Sequence, residues 1–170
     1  TMYQLNDIVV YESSGVCRVR DIQELTFSEA AGAKRYYVLT PLFSSGDVIY
    51  TPVDSTKTVL RPVISREEAL ETIHSMQGEE VMSFEGLRPA ELEFRYRRAQ
   101  QSFRCADLLR LFRAITRKTR SARRAGKKVS EIDRRFLRRI DALVLGELSV
   151  ALNVSQEEIR KLLERELELV

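Results

Sequence analysis

The sequence predicts an α+β protein: a small antiparallel β-barrel over residues 2–64, followed by an all-α bundle of about five helices over residues 65–170. Three observations lead to this division. Turn signals recur about every ten residues through the first third of the chain, with short β-rich runs between them. Beyond Ser65 the apolar residues fall at helical spacing behind Ser-x-x-acid start signals. Charge divides at the same place, with six Lys/Arg against seven Asp/Glu before the junction and twenty-two against eighteen after it.

In the first part, Ile8-Val9-Val10-Tyr11 reads as a strand, and Glu12-Ser13-Ser14-Gly15 as the turn that follows it. Val16-Cys17-Arg18-Val19-Arg20 alternates as a half-buried strand does, which makes the pair a hairpin. Tyr36-Tyr37-Val38-Leu39 is a third strand. Ser44-Ser45-Gly46-Asp47 is a second turn, leading into Val48-Ile49-Tyr50-Thr51. Pro52 closes that strand and places it at an edge, because proline cannot donate to a ladder. Val59-Leu60 adds a fifth strand.

The second part begins at Ser65-Arg66-Glu67-Glu68, a capping box whose side chains satisfy the free N–H groups of a helix start. Ala69, Leu70, Ile73 and Met76 supply its apolar stripe. Residues 78–86 form a break between glycines, and Pro89 suits the first turn of the next helix. In that helix Tyr96, with Phe103 beyond it, reads as core. A third helix runs from Cys105 to Ala125 and stops at Gly126. Ser130-x-x-Asp133 starts a fourth and Ser155-x-x-Glu158 a fifth, after an interruption at Asn153. On the fourth helix Ile132, Phe136, Ile140 and Leu143 make one stripe, while Leu137, Val144 and Leu148 make another, so this helix packs on more than one side. Glu147 projects onto the first stripe and reads as half of a structural ion pair.

Between Arg95 and Lys128 stand thirteen Lys/Arg and one acid, Asp107, in a chain whose formal charge is only +3. Positive charge gathered this tightly suits a polyanion, most simply a nucleic-acid backbone. On the third helix Leu108, Phe112 and Ile115 share one side, and Arg110, Arg113, Arg117, Arg120 and Arg124 cluster on the opposite one. A merely solvated face commonly mixes signs to form pairs one turn apart; this one has almost no acids nearby. Ion pairing with Glu157, Glu158, Glu164, Glu166 and Glu168 of the last helix is the competing account. The second helix adds Arg95, Arg97 and Arg98 around Phe94 and Tyr96, and aromatics among arginines stack on exposed bases.

Several function classes have no support in the sequence. Phosphate-binding glycine loops, dinucleotide fingerprints and nucleophile elbows are absent. A single histidine, His74, and two isolated cysteines, Cys17 and Cys105, offer no metal-ligand spacing; the thiols are expected free. No enzyme, cofactor, metal or small-molecule ligand is expected. No apolar run approaches the ~18 residues of a membrane span, and the N-terminus has no signal-peptide pattern. A cytoplasmic protein without a membrane partner is the expectation.

Asp7-Ile8-Val9-Val10-Tyr11, Gly15-Val16-Cys17-Arg18-Val19 and Tyr36-Tyr37-Val38-Leu39 resemble the RNA-polymerase-interacting domain of CarD-like (CdnL) bacterial regulators, a domain also found in transcription-repair coupling factors. Arg61-Pro62-Val63-Ile64-Ser65-Arg66-Glu67-Glu68-Ala69 looks like the junction of many members. Leu145-Gly146-Glu147-Leu148, followed by Leu152, resembles their penultimate helix. The likeness runs through nearly the whole chain in order. Nothing corresponds to the motor modules of the coupling factors, so the stand-alone regulator is the better match.

The resemblance implies a Tudor-like N-terminal domain that docks on the polymerase β subunit by an exposed sheet edge, and a helical domain that touches promoter DNA. The matching edge positions are Leu25, Ile49, Tyr50 and Thr51; some members carry arginine at the places of Leu25 and Tyr50. Characterised members wedge a tryptophan into the minor groove beside the melted DNA. This chain has no tryptophan, and an ungapped match anchored on Tyr96 puts Leu92 there. Arg95, Arg97 and Arg134 match basic positions of the family's DNA-facing surface. The expected function is therefore a regulator that stabilises the open promoter complex, bridging polymerase and DNA at the nucleoid. The alternative is an adaptor whose arginine face binds an acidic protein without DNA.

Overall fold

The computed structural model describes residues 2–170, which form two compact units dividing at Val63/Ile64. The order of elements is the α+β order expected: five strands, then five helices. The strands are β1 (Ile8–Tyr11), β2 (Gly15–Leu25), β3 (Lys34–Pro41), β4 (Ile49–Pro52) and β5 (Leu60–Pro62). The helices are α1 (Arg66–Met76), α2 (Pro89–Gln100), α3 (Cys105–Arg124), α4 (Glu131–Leu152) and α5 (Gln156–Glu166).

The first unit is a single antiparallel sheet ordered β4-β3-β2-β1-β5. A short 3₁₀ turn over Glu12–Ser14 joins β1 to β2, and Gly15 ends it at φ +73°, a conformation costly for a residue with a Cβ. The register Val9↔Cys17 and Val19↔Leu39 stacks Val9, Cys17, Val19, Tyr37 and Leu39 into the unit's core. Arg18 and Arg20 alternate outward between them, as a strand with one buried face requires. Burial pushes the Cys17 thiol up to about 11, which keeps it protonated and inert.

Two features depart from expectation. β2 continues past Arg20 to Leu25, because a bulge between Val19 and Asp21 shifts the register and lets Ile22 pack against the core despite polar neighbours. β4 and β5 are both edges, with no ladder between them among the described residues, so main-chain pairing does not close the sheet into a barrel.

In the helical unit the serines cap as their spacing predicts. Ser65, Ser130 and Ser155 each accept a main-chain N–H three residues on with the side-chain oxygen, and around Ser155 and Glu158 the capping box is reciprocal. Pro89 opens α2, and Asn153 ends α4 in the left-handed conformation. α3 closes on Gly126 at φ +71°; there the Lys127 N–H reaches Ala122 O at 2.8 Å and the Gly126 N–H reaches Arg123 O at 3.0 Å. The core gathers Leu108, Leu111, Ile115, Phe136, Ile140, Leu148, Ile159 and Leu163. Every residue of α4 from Leu143 to Ser149 is buried, as its two stripes anticipate. Glu147 is buried among them, and its Oε2 accepts the main-chain N–H of Ile64 at 3.1 Å.

Candidate functional site

The four edge positions in the sheet unit differ in what they present. β4 pairs only with β3 among the described residues, with Leu39↔Ile49, Val38↔Tyr50 and Tyr37↔Thr51 opposed. Alternation along β4 turns Tyr50 outward at 46% exposure and buries the Thr51 side chain at 1%. Ile49 is half-buried and packs on the core; Leu25, at the end of β2 opposite Lys34, is also half-buried. Thr51 is thus a correction: only its main chain can take part at an edge. The sequence reading missed Phe27. This ring is 63% exposed and meets Tyr36 and Tyr50 edge-to-face, with centroids 5.0 and 5.7 Å apart. Its isolation between Thr26 and Ser28 in a polar loop was the available signal.

The arginine face of α3 is not an open cationic surface. Arg110 grips both oxygens of Glu79, Nε at 2.9 Å and Nη2 at 3.0 Å, and its Nη1 reaches Asp107 at 3.2 Å. Arg113 is buried at 5% exposure, where its Nη1 donates to Met76 O at the end of α1 and its Nε finds no partner among the described residues. Arg117 donates to Glu168 O at 2.9 Å, and Arg120 pairs with Glu164. These hydrogen bonds hold the Glu79 and Glu164 carboxyls below the usual carboxylate range and raise Arg110 and Arg120. Arg113 is therefore corrected from a DNA contact to a packing contact, while Arg110 and Arg117 are half-buried and hold partners within the helical unit. The reason is tertiary: the chain after α1 and the segment after α5 cover this side of α3, and Leu167 and Leu169 are buried in the same core.

Leu92 is a second correction. It is 5% exposed and belongs to the core, so it is unavailable to wedge into DNA. Phe94, two residues on, is the exposed apolar group of α2 at 58%, with the Arg98 guanidinium 5.9 Å from its ring centroid. Tyr96 is fully buried. Its hydroxyl donates to Asp133 at 2.5 Å, and Lys118 reaches the same carboxylate at 3.1 Å, which locks α2, α3 and α4 together. Burial first, then that carboxylate, drives the Tyr96 phenol far above its ordinary range.

Exposed cations lie elsewhere in the unit. Arg95, Arg97 and Arg134 make pairs with Glu91, Glu93 and Glu131 on their own helices, each at 3.1–3.2 Å. Such exposed pairs contribute about 0–1 kcal/mol and exchange readily for another anion. Arg98, Arg104, Arg123, Arg124, Lys127, Lys128 and Arg138 are exposed without a carboxylate partner among the described residues. The turn from Arg123 to Lys128 holds four of them and no acid, on main chain fixed by the hydrogen bonds that close α3. The run Arg134-Arg135-Phe136-Leu137-Arg138-Arg139 was the overlooked sequence signal. Arg135 and Arg139 there lie 5.6 and 5.5 Å from the Phe136 ring centroid.

Among the described residues no group of three or more His, Cys, Asp or Glu converges as metal ligands, and no helix is long and apolar enough to cross a membrane. No curated protein matches the chain in a sequence comparison. Residues 3–64 match the family model described as the CarD-like/TRCF RID domain. That family comprises protein-interaction domains of transcription factors that engage the RNA polymerase β subunit. The match spans the whole of the five-stranded sheet, and the chain is consistent with a CarD-like family member.

Proposed function

We propose that this protein is a transcription regulator that binds the RNA polymerase β subunit through its sheet unit and promoter DNA through its helical unit, stabilising the open complex. What carries the reading is the pairing of a RID-family sheet with a following unit whose surface holds unpartnered arginines and lysines. The β4 edge, with Tyr50 outward and Leu25 and Ile49 as further contacts, is the proposed polymerase surface by strand addition. The proposed DNA contacts are Arg95, Arg97, Arg98 and Arg134, joined by Arg138 and the Arg123–Lys128 turn. Phe94 takes the place at the DNA that Leu92 cannot fill, because a half-exposed ring among guanidinium groups can stack on an unpaired base.

Contacts of this type read phosphate rather than sequence, so DNA binding alone is weak and largely non-specific. Tethering to polymerase supplies the local concentration. The protein would act in the cytoplasm, at the nucleoid. An open complex favoured by about 1.4 kcal/mol over the closed one is favoured tenfold, which a few phosphate contacts suffice to supply. The adaptor alternative is weakened by the pairing of Arg110 with Glu79 and of Arg120 with Glu164, which occupies part of the α3 arginine face.

The decisive measurement is duplex-DNA affinity against salt concentration. With four or five phosphates neutralised, the slope of log K against log salt is about −4. Replacing Arg123, Arg124, Lys127 and Lys128 by alanine should make it shallower while leaving thermal stability nearly unchanged. A response to salt that is flat in the parent protein removes DNA as the partner.

A further inference from the structure

Where the start of α2, the last turns of α3 and the start of α4 meet, the helical unit holds a cavity of about 320 Å³. Leu87, Pro89, Leu92, Val129 and Ile132 supply its apolar lining. The charged lining is Glu85, Lys118, Asp133, Lys127 and Lys128. Two of these satisfy each other: Lys118 reaches Asp133 at 3.1 Å, and the same carboxylate takes the Tyr96 hydroxyl. The Glu85, Lys127 and Lys128 side chains are exposed and make no ion pair or hydrogen bond among the described residues. A second hollow of about 240 Å³ shares Glu85, Lys118 and Ser121 with the first and adds Arg117, Arg124 and Met82.

The free groups of this lining are two cations, one carboxylate and an apolar surface. A bare anion would use Lys127 and Lys128 but meet Glu85, and it would leave the apolar lining uncovered. A nucleotide suits all three. Its phosphate takes the lysines, its base covers the apolar side chains, and an exocyclic amine donates to the Glu85 carboxylate. The volume lies at the low end of the roughly 300–1,000 Å³ of small-ligand pockets, so one base enters and a duplex does not. A strand rather than a free nucleotide uses the surroundings fully. The hollow continues into the one that Arg124 lines, and Arg123 and Arg124 have no carboxylate partner among the described residues, so successive phosphates find cations there. A paired base would first have to leave its stack, whereas in melted DNA that cost is already met.

We propose that this cavity receives one unpaired base of a melted DNA strand, with Lys127 and Lys128 on its phosphates and Glu85 accepting from its exocyclic amine. The inference rests on the DNA-contacting reading of the helical unit. It adds a preference for melted over paired DNA, and for bases that carry an amine over thymine, which carries none.

Fluorescence anisotropy of the full chain tests this with two DNAs of equal length, one fully paired and one with a short central run of mismatched adenines. The parent should bind the mismatched DNA about tenfold more tightly, the scale of one hydrogen bond to a charged group. Mismatched thymines in place of the adenines should remove most of that gain. Ser121 is exposed on α3 and lines both hollows, so Ser121→Leu fills them without touching the cations. This variant should lose the preference while keeping the parent's duplex affinity, salt slope and melting temperature. Glu85→Lys adds a cation and removes the acceptor, so it should bind both DNAs more tightly and no longer separate adenine from thymine. A preference that survives Ser121→Leu, or that is equal for adenine and thymine in the parent, overturns the proposal. A steep salt slope with no preference for mismatched DNA keeps the duplex contact and removes the pocket; a flat slope on both DNAs removes DNA as the partner and this inference with it. Binding of free deoxyadenosine monophosphate that Ser121→Leu abolishes, in a parent indifferent to mismatches, would assign the pocket to a free nucleotide and overturn the strand.

Discussion

Leu92 and Phe94 show how two positions on one helix acquire opposite roles. Helical rotation sends Leu92 and Tyr96, four apart, into the core and leaves Phe94 on the far side. Leu92→Ala should cost about 2–5 kcal/mol of stability through the cavity it leaves, measured by denaturant unfolding. Phe94→Ala should leave the melting temperature nearly unchanged while shortening the open-complex lifetime. An unchanged lifetime removes Phe94 from the DNA surface. Arg113 supplies a sharper test at this scale. Met76 O, which it caps, also accepts the Glu79 N–H at 3.1 Å, so loss of the guanidinium leaves no orphan acceptor. A buried cation with an unpaired Nε is costly, and methionine of similar length fills the space without that cost. Arg113→Met should therefore be neutral or stabilising by about 1 kcal/mol in thermal melts, with DNA affinity unaltered.

At the scale of the element, α3 is the most instructive. Its apolar side agrees with the spacing of Leu108, Phe112 and Ile115, yet ten of its twenty residues are buried and they include Arg113, Thr116 and Thr119 from other sides. The side that reads in sequence as a nucleic-acid face, with ion pairing to the last helix as the competing account, carries ion pairs joining α3 to Glu79 and to Glu164 of α5. Glu79 and Glu164 have folded pKa values below their unfolded ones, so their contribution is complete above the unfolded carboxylate value of about 4.3 and disappears as pH falls through the folded values. Glu79→Gln/Glu164→Gln should consequently melt below the parent at neutral pH, with the gap narrowing as pH is lowered from about 5 to about 3. The side chains are 36% and 44% exposed, so solvent screening keeps the effect small. A gap independent of pH would mean that these pairs do not stabilise the fold through charge.

For the whole molecule, the division at Val63/Ile64 predicts separable functions. Tyr50→Asp places a charge on the outward position of the β4 edge, where a docking strand would bury it. It should abolish retention on polymerase while leaving duplex-DNA affinity unchanged. Arg95→Glu with Arg97→Glu should do the reverse, and pull-down together with open-complex lifetime would read the two effects. Loss of both activities in either variant would contradict independent surfaces.

Much of this molecule was legible before any tertiary contact was known, because the controlling physics is local. Serine caps, Pro89, Gly126 and the strand alternation of Val16–Val19 act within a few residues, so the element order follows from sequence. The family of the sheet unit was legible too, in Asp7–Tyr11, Gly15–Val19 and Tyr36–Leu39. Three things were decided by the fold alone: the extension of β2 beyond its bulge, the burial of Leu92 and the fate of the arginines. A guanidinium reaches several ångströms from its own helix, and what it meets there depends on segments distant in sequence, Glu79 for Arg110 and Glu164 for Arg120. Charge counted along the chain therefore located the basic region correctly, whereas only packing could separate the cations spent inside the bundle from those left facing solvent.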